Sequence, residues 1–176
     1  LIAWGYFKKI AIADVVVSLV DVVYDNVTVY TGLALGVATF FYAFQVYCDF
    51  SGYSDIARGV AKLLDIELMT NFKSPYFAAS LKEFWSRWHI SLSTWFRDYV
   101  YIPLGGSRRG EWRTQRNLLI TFLVSGLWHG ASWTYVIWGG LHGLGQIVEK
   151  MWNRRFPPKK ERRSVIRVLI VFCFVC

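Results

Sequence analysis

Apolar positions in this chain run in long blocks, and the polar residues inside those blocks recur at helical rather than strand spacing. From Ile10 to Tyr24 the sequence is apolar except for Asp14, Ser18 and Asp21, with Asp25 just beyond. These positions fall along one narrow stripe of a helix, which predicts an amphipathic helix suited to a membrane interface rather than to a full crossing. Leu33–Phe50 ("LALGVATFFYAFQVYCDF") is long enough to cross a bilayer and carries Gln45 and Asp49 four residues apart on one face. A second amphipathic helix is expected after it, with Asp55, Arg58, Lys62 and Asp65 on one side and Ile56, Val60, Leu63 and Leu64 off it. "NFKSPYF" (71–77) reads as a proline-containing link. The next stretch, "SLKEFWSRWHISLSTWFRDYVYIPLGG" (80–106), is helical in period to Tyr101 and is ended by Pro103, Gly105 and Gly106. Glu83 and Arg87 can pair at i,i+4 within it. Its density of polar groups (Arg87, His89, Arg97 and Asp98 among the aromatics) requires a neighbour of protein or a wet cavity, not lipid.

The segment from Asn117 to Lys150 carries almost no charge before Glu149 and is flanked by basic residues on both sides. As one helix it would be about 50 Å long, against a hydrocarbon core of roughly 30 Å. Basic flanks at both ends also oppose a single crossing. A break at "GLWHGAS" resolves both conflicts: Asn117–Leu127 extends about 16 Å at helical rise, and a second helix returns from Ser132. His129 is then expected at a turn near the membrane midplane, enclosed by protein or by a water-lined cavity, because non-helical backbone at that depth must be covered.

Composition agrees with a membrane protein. Of the 176 residues 55% are hydrophobic and 18% charged, below the quarter or so that soluble domains carry. The net charge of +8 is concentrated in "SRRGEWRTQR" (107–116) and "EKMWNRRFPPKKERR" (149–163). Each cluster abuts an apolar segment, so the positive-inside rule explains them better than nucleic-acid binding does, and both are assigned to the cytoplasmic side. Cys48, Cys173 and Cys176 lie in apolar stretches and read as small hydrophobes. The chain has no initiator Met, and its last apolar run stops after about a dozen residues, short of the roughly 20 needed to span. It is therefore read as an internal part of a larger multipass membrane protein.

There are three histidines. His142, between glycines in "GGLHGLG", is expected to pack between helices as a ring satisfied by a backbone carbonyl. His89 and His129 lie in aromatic-rich stretches bordering the expected cavity, where an ionisable side chain is a functional candidate. No zinc spacing, nucleophile elbow or phosphate loop is present, and no metal site is expected. Imidazoles facing a shared cavity suit proton abstraction from a hydroxyl, as in acyl transfer to an alcohol. Proton relay in a transporter would use the same groups.

Three strings narrow this choice: "QVYCDFSGYSDIARG" (45–59), "FWSRWHISLSTWFRDYVYIPLGGSRRG" (84–110) and "NLLITFLVSGLWHGASWTYVIWGGLHG" (117–143). Together they resemble the membrane-bound O-acyltransferase family, in its bacterial branch of alginate and exopolysaccharide O-acetyltransferases. "IPLGGSRRG" favours that branch over the teichoic-acid D-alanylation branch. The resemblance implies an all-α, multipass fragment of a bacterial inner-membrane protein, with transmembrane, amphipathic and broken or re-entrant helices around a catalytic tunnel. Residues 1–176 would form a single partial membrane domain. It implies His129 as general base and His89 as an orienting or proton-assisting partner. Trp85, Trp88, Trp128 and Trp133 would line the tunnel, and Asp49, Arg97 and Asp98 would form a buried charge network. It implies no bound cofactor, with acetyl-CoA or another cytoplasmic acyl thioester as donor substrate. The acceptor would be hydroxyls of an exported polysaccharide such as alginate, reached with a periplasmic acetyltransferase partner. The rival reading is a non-catalytic transporter or scaffold subunit of a polysaccharide export complex. Against it, the sequence shows one broken helix and no internal repeat.

Overall fold

Small residues in the first seventy positions let two helical runs approach closely enough for charged side chains to meet between them. The computed structural model describes residues 1–157 and 164–176, and every regular element among them is helical. The contacts divide the chain into two units, Leu1–Asn71 and Phe72–Val175.

In the first unit α1 (Ile2–Tyr6) passes through a π-helical stretch, Phe7–Ala13, into α2 (Asp14–Tyr24). This run packs on α3 (Gly32–Leu63), where a Cβ added to Gly5 would stand 2.6 Å from the Gly52 carbonyl oxygen. Two consecutive lysines of the π segment reach α3. Lys8 Nζ lies 2.8 Å from Asp55 and 3.0 Å from Ser51 Oγ, and Lys9 Nζ lies 2.6 Å from Asp49 and 2.7 Å from Asp14. The expected crossing and the second amphipathic helix are one continuous helix of 32 residues, about 48 Å long. Ser51 and Gly52, where the two expected helices meet, are buried within the helix and form the contact surface for α1 and the π-helical stretch. Of the described helices, α3 is the one both long and apolar enough to cross a membrane.

The second unit opens with a 3-10 turn at Pro75–Phe77 and continues through α4 (Leu81–Trp85) and α5 (Ile90–Phe96) into a π-helical turn at Arg97–Tyr101. Next come α6 (Glu111–His129), α7 (Trp133–Arg155) and α8 (Val165–Val175). Ser80 caps α4 by accepting from the Glu83 N–H at 3.0 Å, while the Glu83 carboxylate accepts from the Ala79 N–H at 2.7 Å. This is close to a capping box. Glu83 also pairs with Arg87, as its spacing predicts. Glu149 of α7 accepts from the Leu81 N–H at 2.9 Å and so ties α7 to the start of α4. Ala78, Leu81, Phe84 and Val171 form a buried cluster, with Tyr76, Trp85 and Trp88 packed against it.

Two features here differ from expectation. The helix expected over 80–101 is broken between α4 and α5, where His89 adopts φ +43° and ψ +57°. A non-glycine residue in the left-handed region is invisible to periodicity. In addition, α6 starts at Glu111, six residues before the apolar segment, and Asn117 pins the preceding loop onto it. The fully buried Asn117 amide donates to the Leu104 and Gly106 carbonyls at 3.1 and 3.0 Å.

The break between α6 and α7 falls within "GLWHGAS", as the length and charge argument requires. Gly130, Ala131 and Ser132 form the connection, and Ser132 Oγ caps α7 by accepting from the Thr134 N–H at 3.3 Å. The basic stretch expected over 149–163 lies partly outside the described residues.

Candidate active site

His129 is the last residue of α6, held among three aromatic rings. Trp128 and Trp138 meet it edge-on, with centroids at 5.0 and 5.3 Å, and Tyr135 lies roughly parallel to it at 6.3 Å. His89 stands at the α4–α5 break. Both histidines line one cavity of about 690 Å³ in the second unit.

The cavity follows α6. Thr114, Leu118, Thr121, Phe122, Ser125 and His129 line it, and apart from the adjacent Thr121 and Phe122 they succeed one another by three or four residues, which marks a single helix face. From Thr114 to His129 that face extends about 22 Å at helical rise. Trp85, Trp88, Leu92 and Phe96 contribute apolar wall from α4, α5 and the turn between them. Lys82, Gln146, Glu149, Lys150 and Asn153 also line it. Among these, Lys150 pairs at 2.8 Å with Glu111 at the start of α6, which places this polar group at the end away from His129. That pairing holds the Glu111 carboxyl below the usual carboxylate range.

Some sequence-derived assignments need correction. Trp85 and Trp88 line the cavity, but Trp128 and Trp133 do not. Trp128 precedes His129 and so points about 100° around the helix from it, where it packs edge-on against Phe96 at 6.3 Å. Trp133, at the first turn of α7, is 80% exposed. Asp49, Arg97 and Asp98 do not form one buried network. Asp49 pairs with Lys9 in the first unit, both side chains more than 40% exposed. Arg97 reaches the cavity but pairs with its neighbour Asp98 at 2.8 Å, both side chains largely exposed. His129 is itself exposed while lining the cavity, so it stands at a mouth rather than in a sealed chamber.

His142 is buried as expected, within an aromatic box of Trp85, Trp138, Phe122 and Phe174. Among the described residues its Nδ1 has no hydrogen-bond partner, in place of the expected backbone carbonyl, and neither has the buried Trp85 Nε1 beside it. Among the described residues no group of three or more His, Cys, Asp or Glu is placed to hold a metal ion. Sequence reasoning passed over Thr121 and Ser125, although a signal was present. Asn117, Thr121, Ser125 and His129 recur every four residues through an apolar segment, and all but Asn117 line the cavity.

The groove by itself names no family, and comparison with known proteins decides it. Residues 3–175 match the sequence model of the membrane-bound O-acyltransferase family. The chain belongs to that family. It is 45% identical over 172 residues to a probable alginate O-acetylase of Pseudomonas putida, covering 94% of this chain and 35% of that protein. It is 44% identical over 149 residues to a peptidoglycan O-acetyltransferase of Helicobacter pylori, covering 85% of this chain and 28% of that protein. It is 32% identical over 157 residues to a teichoic acid D-alanyltransferase of Bacillus subtilis, covering 81% of this chain and 40% of that protein. This membrane-bound O-acyltransferase chain thus spans about a third of the length of the curated relatives it matches.

Proposed function

We propose that this chain is the catalytic part of a multipass O-acyltransferase of the bacterial cytoplasmic membrane, with both units in one membrane domain. The enzyme moves an acyl group, expected to be acetyl, from a cytoplasmic thioester such as acetyl-CoA. The group travels toward hydroxyls of an exported polysaccharide such as alginate, the polymer in the names of several of its relatives, with a periplasmic transferase as partner. One observation carries this reading: a continuous groove on one face of α6 joins a polar, basic end near Lys150 to His129.

The groove suits that chemistry in three parts. Its polar end, with Lys82 and Lys150, receives the charged portion of a donor. Its apolar middle, with Leu118, Phe122, Leu92 and Phe96, excludes water and so protects the thioester from hydrolysis. At His129 the acceptor hydroxyl gives its proton to the imidazole as its oxygen bonds to the carbonyl carbon. The carbon–sulfur bond then breaks, and the departing thiolate takes up a proton. His89, on the same cavity, orients the acceptor or supplies that proton.

The test uses the full-length protein. His129→Ala should lower acetyl content of the product polymer by a hundred- to ten-thousand-fold, the usual range for a lost general base, with the membrane protein level unchanged. Normal acetylation at normal abundance would refute the reading. Thioester consumption by the purified protein separates an enzyme from a transporter or scaffold, which would consume none.

A further inference from the structure

Behind α4, on the side of α7 that meets α8, lies a second cavity of about 310 Å³. Its walls are apolar, built by Leu81, Val148, Trp152, Ile170 and Phe174. Its polar residues are Glu149, Asn153 and Arg167. Glu149 is already committed to the backbone at the start of α4. Arg167 is part-buried; among the described residues its guanidinium donates to Asn153 Oδ1 at 3.4 Å and has no carboxylate partner. An arginine held over an apolar slot with most of its donors uncommitted matches a ligand that carries an anionic head on a hydrocarbon tail.

The surroundings specify which ligand. Arg154 and Arg155 lie in the last turn of α7, at the same end of that helix as this polar group, with Lys150 and Arg154 turned toward Glu111 of α6. On the placement argued above, that end faces the cytoplasmic leaflet, whose anionic lipids attract such clusters. Val148, Trp152 and Ile170 are each about 60% exposed on the helix faces that flank the slot, as a hydrocarbon neighbour allows. We infer that α7 and α8 form a binding site for an anionic phospholipid, with its phosphate on Arg167 and one acyl chain in the slot. A guanidinium can meet a phosphate with two parallel hydrogen bonds, which a zwitterionic headgroup weakens by placing its own cation alongside. The inference rests on the membrane placement above but not on catalysis, so its test reads lipid binding alone.

The full-length protein, purified in mild detergent, would be examined by native mass spectrometry after addition of phosphatidylglycerol or phosphatidylethanolamine. The wild type should retain phosphatidylglycerol preferentially, and Arg167→Gln should reduce that retention about tenfold, as expected for loss of one charge-assisted bidentate contact. Arg154→Gln, on a side chain 78% exposed, should leave retention within about twofold, since exposed charges contribute little. Equal loss in both variants would mean diffuse attraction to a basic surface and would overturn the site. Equal retention of the two lipids by the wild type would do the same. A photo-crosslinking phenylalanine at position 170 covers the remaining case. Capture of lipid supports the proposal, and capture of another segment of the same protein overturns it. Melting temperatures of the variants distinguish lost binding from lost folding.

Discussion

Gly126 and Gly139 bring α6 and α7 so close together that a Cβ on either would collide with backbone of the other helix. At position 126 it would meet the Tyr135 carbonyl, and at 139 the Phe122 carbonyl. The hairpin that ends in His129 is therefore set by two missing side chains. Backbone cannot yield as a flexible side chain can, so Gly139→Val should force the helices apart and destabilise the protein by about 3 kcal/mol or more, at the upper end of overpacking costs. Thermal unfolding in detergent would measure it. A wild-type melting temperature for Gly139→Val would mean that the crossing is looser than the structure shows.

Ser125 offers a way to obstruct the cavity without touching either histidine. It is one turn below His129, lines the cavity and is 92% buried. Ser125→Leu should fill the groove and lower acyl transfer at least about tenfold, with a raised KM if the donor is what it excludes. Ser125→Ala should remain near wild type. Equal activity in the leucine variant would remove the groove from the donor path.

The His142 box separates shape from polarity. His142→Ala leaves a void among four rings and should cost about 3 kcal/mol, in the range of large-to-small core changes. His142→Phe keeps a ring while removing an imidazole Nδ1 that is buried without a partner among the described residues. Relief of that unsatisfied group is worth about 1 kcal/mol, so the phenylalanine variant should match or exceed wild-type stability and keep most activity. Severe loss of activity in a stable phenylalanine variant would show that the nitrogen has a part in the reaction.

The two lysines of the π-helical stretch should respond unequally. The Lys8 side chain is 9% exposed and its partner Asp55 18%, whereas Lys9 and Asp49 are both above 40%. Removing one partner of a buried pair strands the other, so Lys8→Ala should cost about 3 kcal/mol. Arg58, within 3.5 Å of Asp55, moderates that loss. Lys9→Ala should cost less than about 1 kcal/mol, as exposed pairs do. The ranking is checked by melting both variants side by side, and reversal would mean that the first unit is covered differently in the whole protein.

What was legible in the sequence follows a physical division. The α6–α7 break could be read because helix length and flanking charge are global quantities, available without knowing any contact. The break at His89 could not, since it depends on one backbone angle that a non-glycine residue adopts under pressure from its surroundings. The join of the two expected helices after Phe50 was equally illegible: Ser51 and Gly52 are small residues, which suit both chain breaks and close helix crossings, and only the partner (here Gly5) tells which. Trp128 shows a further limit: a resemblance names residues without their helix face, and neighbouring residues on a helix diverge by about 100°.

The backbone at position 89 also sets stability and turnover against each other. A left-handed conformation costs an L-residue roughly 1–2 kcal/mol and glycine almost nothing. Replacing His89 by glycine should therefore preserve the chain path, relax the strain and leave an opening the size of an imidazole on the cavity wall. A protein that melts higher yet turns over more slowly, and that regains rate when free imidazole is supplied, would show that the histidine is kept there for its ring at the expense of its own backbone.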